Sequence, residues 1–253
     1  MKKFIPFLVL FITLSSANMA FGQRASGIGF ELGVRAAFGP SVLYESNIED
    51  SDNHSFNSIK MGYSFGLAFS TGFDQNNYLI FETMYATGTQ DYSFNGYTNL
   101  IEGTNTIDWN TLDLYLLYRR SYSGAYFEVG PKMSFVNNVE QSLSGNDAVN
   151  LEFFPNVEDH YVDNFMSAVF GFGGYIAGSR AYSLGLGIRL EYALQNFTTD
   201  SGKDQGYPLP YDPSYDPGNL RNINVYGTLE LKIPIGRIAQ IRCGERGFIF
   251  GGG

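Results

Sequence analysis

Apolar side chains alternate with small or polar ones along much of this chain. In segment 28–38 the even positions carry Ile, Phe, Leu, Val, Ala and Phe, while the odd positions from 27 to 35 carry Gly, Gly, Glu, Gly and Arg. The alternation is clearest in segment 182–194, where Tyr, Leu, Leu, Ile, Leu, Tyr and Leu share one face and Ser, Gly, Gly, Arg and Glu share the other. Successive side chains of a β-strand point to opposite sides, so this period of two indicates strands with one apolar face.

Eight segments of this kind divide the chain. Each has more than ten residues, whereas strands in soluble sheets usually have about five or six. A tilted strand that crosses a membrane needs about 9–11 residues. The predicted strands are 28–38, 59–70, 78–90, 107–120, 125–137, 162–177, 182–194 and 222–235.

Short and long connections alternate between these strands. The short links are 74–77, 121–124 and 178–181, and the long polar tips are 48–57, 95–105, 140–160 and 196–220. Outer-membrane barrels have short turns at the periplasmic end and long loops outside the cell. The sequence therefore predicts an all-β fold, an eight-stranded antiparallel up-and-down transmembrane β-barrel over residues 23–235.

Two tyrosines of the seventh predicted strand have the spacing of an aromatic girdle. Tyr182 and Tyr192 are ten residues apart, which is roughly 33 Å along a strand at ~3.3 Å per residue. A tilt of about 40° reduces this to roughly 25 Å, the height of the apolar band between the two girdles of such barrels. We expect these tyrosines at the two membrane interfaces.

The two ends of the chain lie outside the predicted barrel. Lys2 and Lys3 precede an apolar run at 4–14 and small residues up to Gly22, which is the layout of a cleaved secretory signal peptide over residues 1–22. Residues 236–253 are predicted to form a C-terminal periplasmic tail, and Cys243, the only cysteine, excludes an internal disulfide. The predicted location is the outer membrane of a diderm bacterium.

Acidic and basic residues of the predicted strands share the inward face in equal numbers. Opposite charges that also complete hydrogen bonds are tolerated in such a space, and eight strands enclose an interior that side chains can fill. We therefore predict a plugged, charge-paired interior, with a proton or ion pathway as the alternative. The predicted interior network consists of Glu31, Arg35, Lys60, Glu82, Asp113, Arg119, Glu128, Lys132, Arg189, Glu191, Glu230 and Lys232.

Most of the remaining acids fall in or beside the predicted long loops. The chain has 25 acidic and 16 basic residues, a net charge of −9, which argues against nucleic acid as a partner. No spacing matches an ordered Ca²⁺ loop, so no metal site is predicted. We expect contact with outer-membrane lipid and lipopolysaccharide and with an envelope or extracellular protein, and a monomeric barrel.

Residue patterns for catalysis or cofactor binding are lacking. His54 and His160 lie in predicted loops, where a base is difficult to hold against a nucleophile. The glycines at 171–174 and 185–187 fall inside strands and not at a strand-to-helix junction, so they are not phosphate loops. The segment 207–217 is rich in Pro and Tyr and is expected to form a stiff loop, with a recognition epitope as the alternative. We therefore predict that the protein is not an enzyme and binds no cofactor.

Several short motifs resemble the outer-membrane β-barrel domain family of PorT-like proteins, whose architecture is similar to that of OmpX and the OmpA barrel. The residues that carry the resemblance are LGVR at 32–35, LIFETMY at 79–85 followed by Gly88, LDLYLLY at 112–118, YFEVGP at 126–131 and YSLGLG at 182–187. The resemblance spans nearly all of residues 26–235. It implies the barrel fold, and some members of the family assist protein secretion.

The predicted function is that of a structural, adhesive or interaction protein in the outer membrane, with an accessory role in secretion or envelope integrity. One alternative is a soluble periplasmic barrel that binds an apolar ligand, in which the apolar faces would point inward. A second alternative is an outer-membrane barrel hydrolase that uses His54 or His160.

Overall fold

A computed structural model describes residues 28–45, 47, 54–74, 76–95, 102–144, 157–210, 215–242 and 245–250. The predicted signal peptide and Cys243 lie outside these residues. The described strands are β1 Ile28–Tyr44, β2 His54–Ser58, β3 Lys60–Gly72, β4 Asn77–Asn95, β5 Glu102–Tyr122, β6 Ala125–Ser144, β7 Asn164–Gly178, β8 Ser183–Ala193, β9 Arg221–Arg242 and β10 Glu245–Phe250. No helix in the described part of the chain is long and apolar enough to cross a membrane.

Eight of these strands close into a ring. β1, β3, β4, β5, β6, β7, β8 and β9 pair in that order, each antiparallel to its neighbour, and β9 pairs with β1. The predicted eight-stranded antiparallel up-and-down β-barrel is confirmed. Closure gives the main-chain groups of every ring strand a partner on both sides, so the ring has no free sheet edge where its strands are paired.

The apolar face of each strand points out of the barrel. Leu32, Phe65 and Leu186 are 47%, 56% and 46% exposed, whereas Arg35 and Glu82, on the opposite faces of β1 and β4, are buried. This orientation is the reverse of what the soluble ligand-binding alternative required, because that barrel would turn Leu186 and its neighbours inward.

β4, β5 and β6 are longer than the sequence predicted. They have 19, 21 and 20 residues and remain paired from Asn95↔Glu102 and Thr104↔Ser144 down to their short turns. Part of the predicted loop 48–57 is also a strand, since β2 pairs with the end of β4. The apolar alternation stops before these extensions, whose outward positions include Asp91, Thr104 and Thr106. Threonine favours strands without adding an apolar signal, so the apolar alternation ends before the strands do.

The last strand of the ring does not end at Ile235. β9 continues to Arg242, and β10 pairs with it through Phe250↔Gly236. β8 pairs with β9 only as far as Ser183↔Lys232. β10 therefore pairs with the same edge of β9 as β8 does, beyond the point where β8 ends. The predicted boundary between barrel and tail therefore falls inside a strand, and residues 236–242 belong to the sheet.

Candidate functional site

Six charged side chains meet in the middle of the barrel interior, each from a different strand. The signs alternate around the ring, because β1, β5 and β8 supply arginines and β4, β6 and β9 supply glutamates. All six residues are 2% exposed or less. We refer to them as the central cluster: Arg35, Glu82, Arg119, Glu128, Arg189 and Glu230.

The other two ring strands supply glycines at this level. Gly66 of β3 lies opposite Arg35, and Gly171 of β7 lies between Glu128 and Arg189 in the ladder. A Cβ atom on Gly171 would lie 2.7 Å from Cγ of Glu128, and one on Gly66 would lie 2.7 Å from Cα of Met84. Glycine at 171 therefore leaves the space that the Glu128 side chain occupies, and glycine at 66 allows the β4 backbone to approach closely.

Glu128 is the hub of the central cluster. Its carboxylate lies 3.1 Å from the guanidinium of Arg35, 2.8 Å from that of Arg119 and 2.6 Å from that of Arg189. Arg119 and Arg189 also donate through Nε, at 3.2 and 3.0 Å. One carboxylate therefore ties together three strands besides its own.

The other two glutamates bridge the same arginines in pairs. Glu82 lies 2.8 Å from Arg35 and 2.9 Å from Arg189. Glu230 lies 2.7 Å from Arg119 and also pairs with Arg35. With three positive and three negative groups the central cluster is neutral, which is the condition under which charges can be buried at modest cost.

Aromatic rings cover two of the guanidinium groups. Cζ of Arg119 lies 4.0 Å from the ring centroid of Tyr126, and Cζ of Arg189 lies 4.9 Å from that of Tyr115. Both distances are within the range of cation–π contacts. The rings therefore stabilise guanidinium groups that have no access to water.

A second layer of charges lies nearer the long loops. Nζ of Lys132 lies 2.7 Å from Glu191 and 3.3 Å from Asp113. Tyr115 donates its hydroxyl hydrogen to Glu191 at 2.9 Å, and Asn224 donates an amide hydrogen to the same carboxylate at 3.0 Å. We call Lys132, Asp113 and Glu191 the upper layer.

On the short-turn side, Lys232 extends the central cluster. Its Nζ lies 3.1 Å from Glu230 and 3.6 Å from Glu31, which is partly exposed. The structure thus brings eleven of the twelve residues predicted for the interior network into ion pairs within the barrel.

Lys60 does not join this network. It lies at the loop end of β3, its side chain is 39% exposed, and it pairs with Asp91 of β4 at 2.8 Å. Its even position in the alternating pattern predicted an inward side chain. However, Lys60 is the first residue of β3, at the end of the strand that faces the long loops. Tyr182 and Tyr192, the predicted girdle residues, are both exposed on the outer surface.

A large apolar cluster lies at the long-loop end, and the sequence did not predict it. The segments between β6 and β7 and between β8 and β9 pack onto inward residues of six strands. For example, the ring of Phe197 contacts the rings of Trp109, Tyr161 and Phe165 at centroid distances of 5.4–5.9 Å. We call this set the loop-end cap. Its buried members are Leu43, Tyr92, Ile107, Trp109, Val139, Val157, Tyr161, Phe165, Ala193, Phe197, Tyr207, Leu209, Tyr215 and Leu220.

A buried carboxylate fastens one cap segment to β1. Glu45, 1% exposed, accepts a hydrogen bond from the hydroxyl of Tyr215 and another, at 2.7 Å, from the backbone N–H of Gly218. Burial, and then the hydrogen bond to Glu45, raises the pKa of Tyr215 above its ordinary value of 10.0. Because the folded value is the higher one, the contribution of this hydroxyl is complete below about pH 10 and is lost as the pH rises through the folded pKa.

The described residues contain no group of three or more His, Cys, Asp and Glu that could hold a metal ion. His160 stacks on the ring of Tyr207 at a centroid distance of 4.3 Å, and its Nδ1 atom has no hydrogen-bond partner in the described part of the chain. The side chain of His54 lies outside the described residues.

Comparison with solved structures gives distant matches. Neisserial surface protein A matches with a TM-score of 0.40 and 12% identity, over 82% of this chain and 98% of its own. Outer-membrane protein OprG of Pseudomonas aeruginosa gives 0.38 and 11%, over 83% and 97%, and the outer-membrane protease OmpT of Escherichia coli gives 0.33 and 9%, over the same shares. No protein-family model and no curated protein matches by sequence. These likenesses are too weak to assign a function.

Removing one charge from the hub should destabilise the barrel strongly. We expect Glu128→Gln to lower the free energy of unfolding by about 3–5 kcal/mol, because three buried guanidinium groups would then share two carboxylates. Urea unfolding of the detergent-folded protein, followed by the mobility difference between unboiled and boiled samples, measures the change.

Lys60→Gln is the matched control for this experiment. It removes a charge from an exposed pair, so the free energy of unfolding should change by no more than about 1 kcal/mol. Equal and small effects of the two substitutions would contradict the structural role given to the central cluster.

The bond between Tyr215 and Glu45 should protect the cap from protease. In Tyr215→Phe the buried carboxylate loses its hydroxyl donor, so we expect faster cleavage of the folded protein between β8 and β9, measured by mass spectrometry of a limited digest. Tyr182→Phe, which removes an exposed hydroxyl, should leave the rate unchanged. If the two variants are digested at the same rate, the hydrogen bond between Tyr215 and Glu45 does not hold the cap segment in place.

Proposed function

We propose that this protein is an integral outer-membrane β-barrel with a plugged interior, which acts at the cell surface as a structural, adhesive or interaction protein. The observation that carries the proposal is the sorting of side chains by face. Apolar side chains point outward around the whole ring, and eleven charged side chains of the strands pair inside it.

A hydrocarbon surrounding explains this sorting better than water does. Exposed apolar side chains follow one another along most ring strands, for example Leu186, Ile188 and Leu190 on β8, and an apolar surface of that extent is rare on soluble monomers. Lipid accepts such a surface, provided that all main-chain groups are paired within the protein, as a closed ring of strands allows. This supports a membrane location and disfavours the soluble barrel.

Two features support a plugged interior. The paired charges of the central cluster and the upper layer occupy the middle of an eight-stranded ring, which has an interior just wide enough for side chains. The loop-end cap then packs apolar side chains across inward residues of β1, β4, β5, β6, β7 and β8. This arrangement disfavours a water-filled channel.

The loop-end parts of β4, β5 and β6 are the part of the barrel best suited to contact other molecules. Their outward residues are hydroxyl-bearing and acidic, and they bond to one another: Thr89 donates to Asp108 at 2.6 Å, and Thr106 donates to Asp91 at 2.9 Å. A polar sheet surface that continues past the apolar band would stand outside the membrane. This supports an adhesive or interaction role, next to lipopolysaccharide and envelope or extracellular proteins, over a catalytic one.

Cell fractionation tests the location. We expect the full-length protein in the outer-membrane fraction, extracted only by detergent and migrating differently before and after boiling, because a closed barrel resists unfolding in detergent. Protease added to whole cells should trim the loops and leave the strands intact. Release of folded protein by osmotic shock without detergent would exclude the membrane location.

Planar bilayer recordings test the plug. The wild-type protein should insert without stepwise ion conductance, since paired side chains fill the ring. A porin reconstituted in parallel checks that the assay detects channels. Sustained openings of a size expected for a water-filled pore would contradict the plugged interior while leaving the membrane location intact.

A further inference from the structure

The charges inside the barrel do not balance in every layer. The central cluster has three positive and three negative groups, and Lys232 and Glu31 add one of each sign. The upper layer has Lys132 against both Asp113 and Glu191, all three 2% exposed or less. One negative charge in excess is therefore buried in the upper layer, where an uncompensated charge is very costly.

The contacts locate that excess on Asp113. Glu191 accepts from Lys132 at 2.7 Å, from Tyr115 at 2.9 Å and from Asn224 at 3.0 Å. Among the described residues Asp113 has two long contacts, both at Oδ2 and both at 3.3 Å. One comes from the same Lys132, and the other is with the Tyr115 hydroxyl, whose single hydrogen is directed to Glu191. Its Oδ1 atom has no hydrogen-bond partner in the described part of the chain.

Two unpartnered hydroxyl groups lie on the same wall of the interior. Ser134 is directly opposite Asp113 in the β5–β6 ladder, and Ser167 is opposite Lys132 on β7, diagonal to Ser134. The serines are 0% and 1% exposed, and neither hydroxyl has a hydrogen-bond partner among the described residues. Opposite side chains of a sheet start about 5 Å apart and diagonal ones about 7–8 Å apart. Three unsatisfied oxygen atoms therefore lie on three adjacent strands and face the barrel interior.

We propose that Asp113, Ser134 and Ser167 bind one monovalent cation of the size of sodium. Carboxylate and hydroxyl oxygens are ligands suited to hard cations. A single positive charge neutralises the layer, whereas a divalent ion would turn an excess of one negative charge into an excess of one positive charge. The site lies inside the ring whatever surrounds the barrel, so its failure would leave the proposed function untouched.

The test is the cation dependence of unfolding. The full-length mature protein is folded into detergent in sodium chloride or in choline chloride at equal ionic strength, and its thermal midpoint is read from the mobility shift. Sodium should raise the midpoint and choline should not. Each tenfold increase in sodium above the dissociation constant should shift the unfolding equilibrium tenfold, as expected for one bound ion.

Three variants connect this response to the site. Asp113→Asn should fold and lose the sodium response, because it removes the excess charge. The double variant Ser134→Ala/Ser167→Ala keeps every charge and should weaken the response, so it decides the question if Asp113→Asn does not fold. Asp108→Asn, on the exposed outer face of the same strand β5, should respond like the wild type.

Two results would overturn the proposal. Equal midpoints in sodium and choline would mean that water alone fills the space. The second result has three parts: the thermal midpoint rises on acidification, it does not respond to sodium, and Asp113→Asn removes the pH response. This result would mean that Asp113 carries a proton in place of a cation.

Discussion

The pairing of buried charges is the constraint on which the rest of this barrel depends. The central cluster requires residues from six strands to reach the same level, so it is compatible with one register around the ring. A slip of one residue in β8 would turn Arg189 outward, take one arginine away from both Glu82 and Glu128, and leave the central cluster with one uncompensated negative charge. The loss is several kcal/mol for each unpaired group, which apolar packing on the outer surface does not offset. The charges thus specify strand alignment as well as fill space.

The alternation along the chain was sufficient to predict the ring and its two faces. From Tyr182 to Leu194 each side chain could be given a side because a strand has a period of two. The partners could not be predicted in this way. Arg35 meets Glu128 across 93 positions of sequence, and that contact depends on strand stagger and on side chains that cross the interior, neither of which leaves a local pattern. Lys60 is a second example. The period of two predicted which face of the strand it lies on, but it could not predict how far along the barrel axis the residue lies.

The loop-end cap was missed for a different physical reason. Its loop members, such as Val157, Phe197, Leu209 and Leu220, are single apolar residues within polar segments, so none has the periodicity of a helix or strand. They are buried because the ring presents inward residues such as Trp109 and Phe165 at its loop end, and two long segments can reach them. A signal was present in the Pro- and Tyr-rich stretch from Tyr207, since a stiff chain with large aromatic side chains loses little entropy when it packs.

A charged interior also solves a problem that an apolar interior would create. Buried ion pairs in soluble proteins can often be replaced by apolar side chains with no loss of stability, so stability alone does not explain why this ring uses them. In a barrel whose outer surface is already apolar, an apolar inner face would make the two faces of each strand nearly equivalent, and a shifted register would cost little. Alternating Arg and Glu on β1, β4, β5, β6, β8 and β9 make the inner face chemically distinct from the outer one, and each of these six strands can then adopt only one orientation at low free energy.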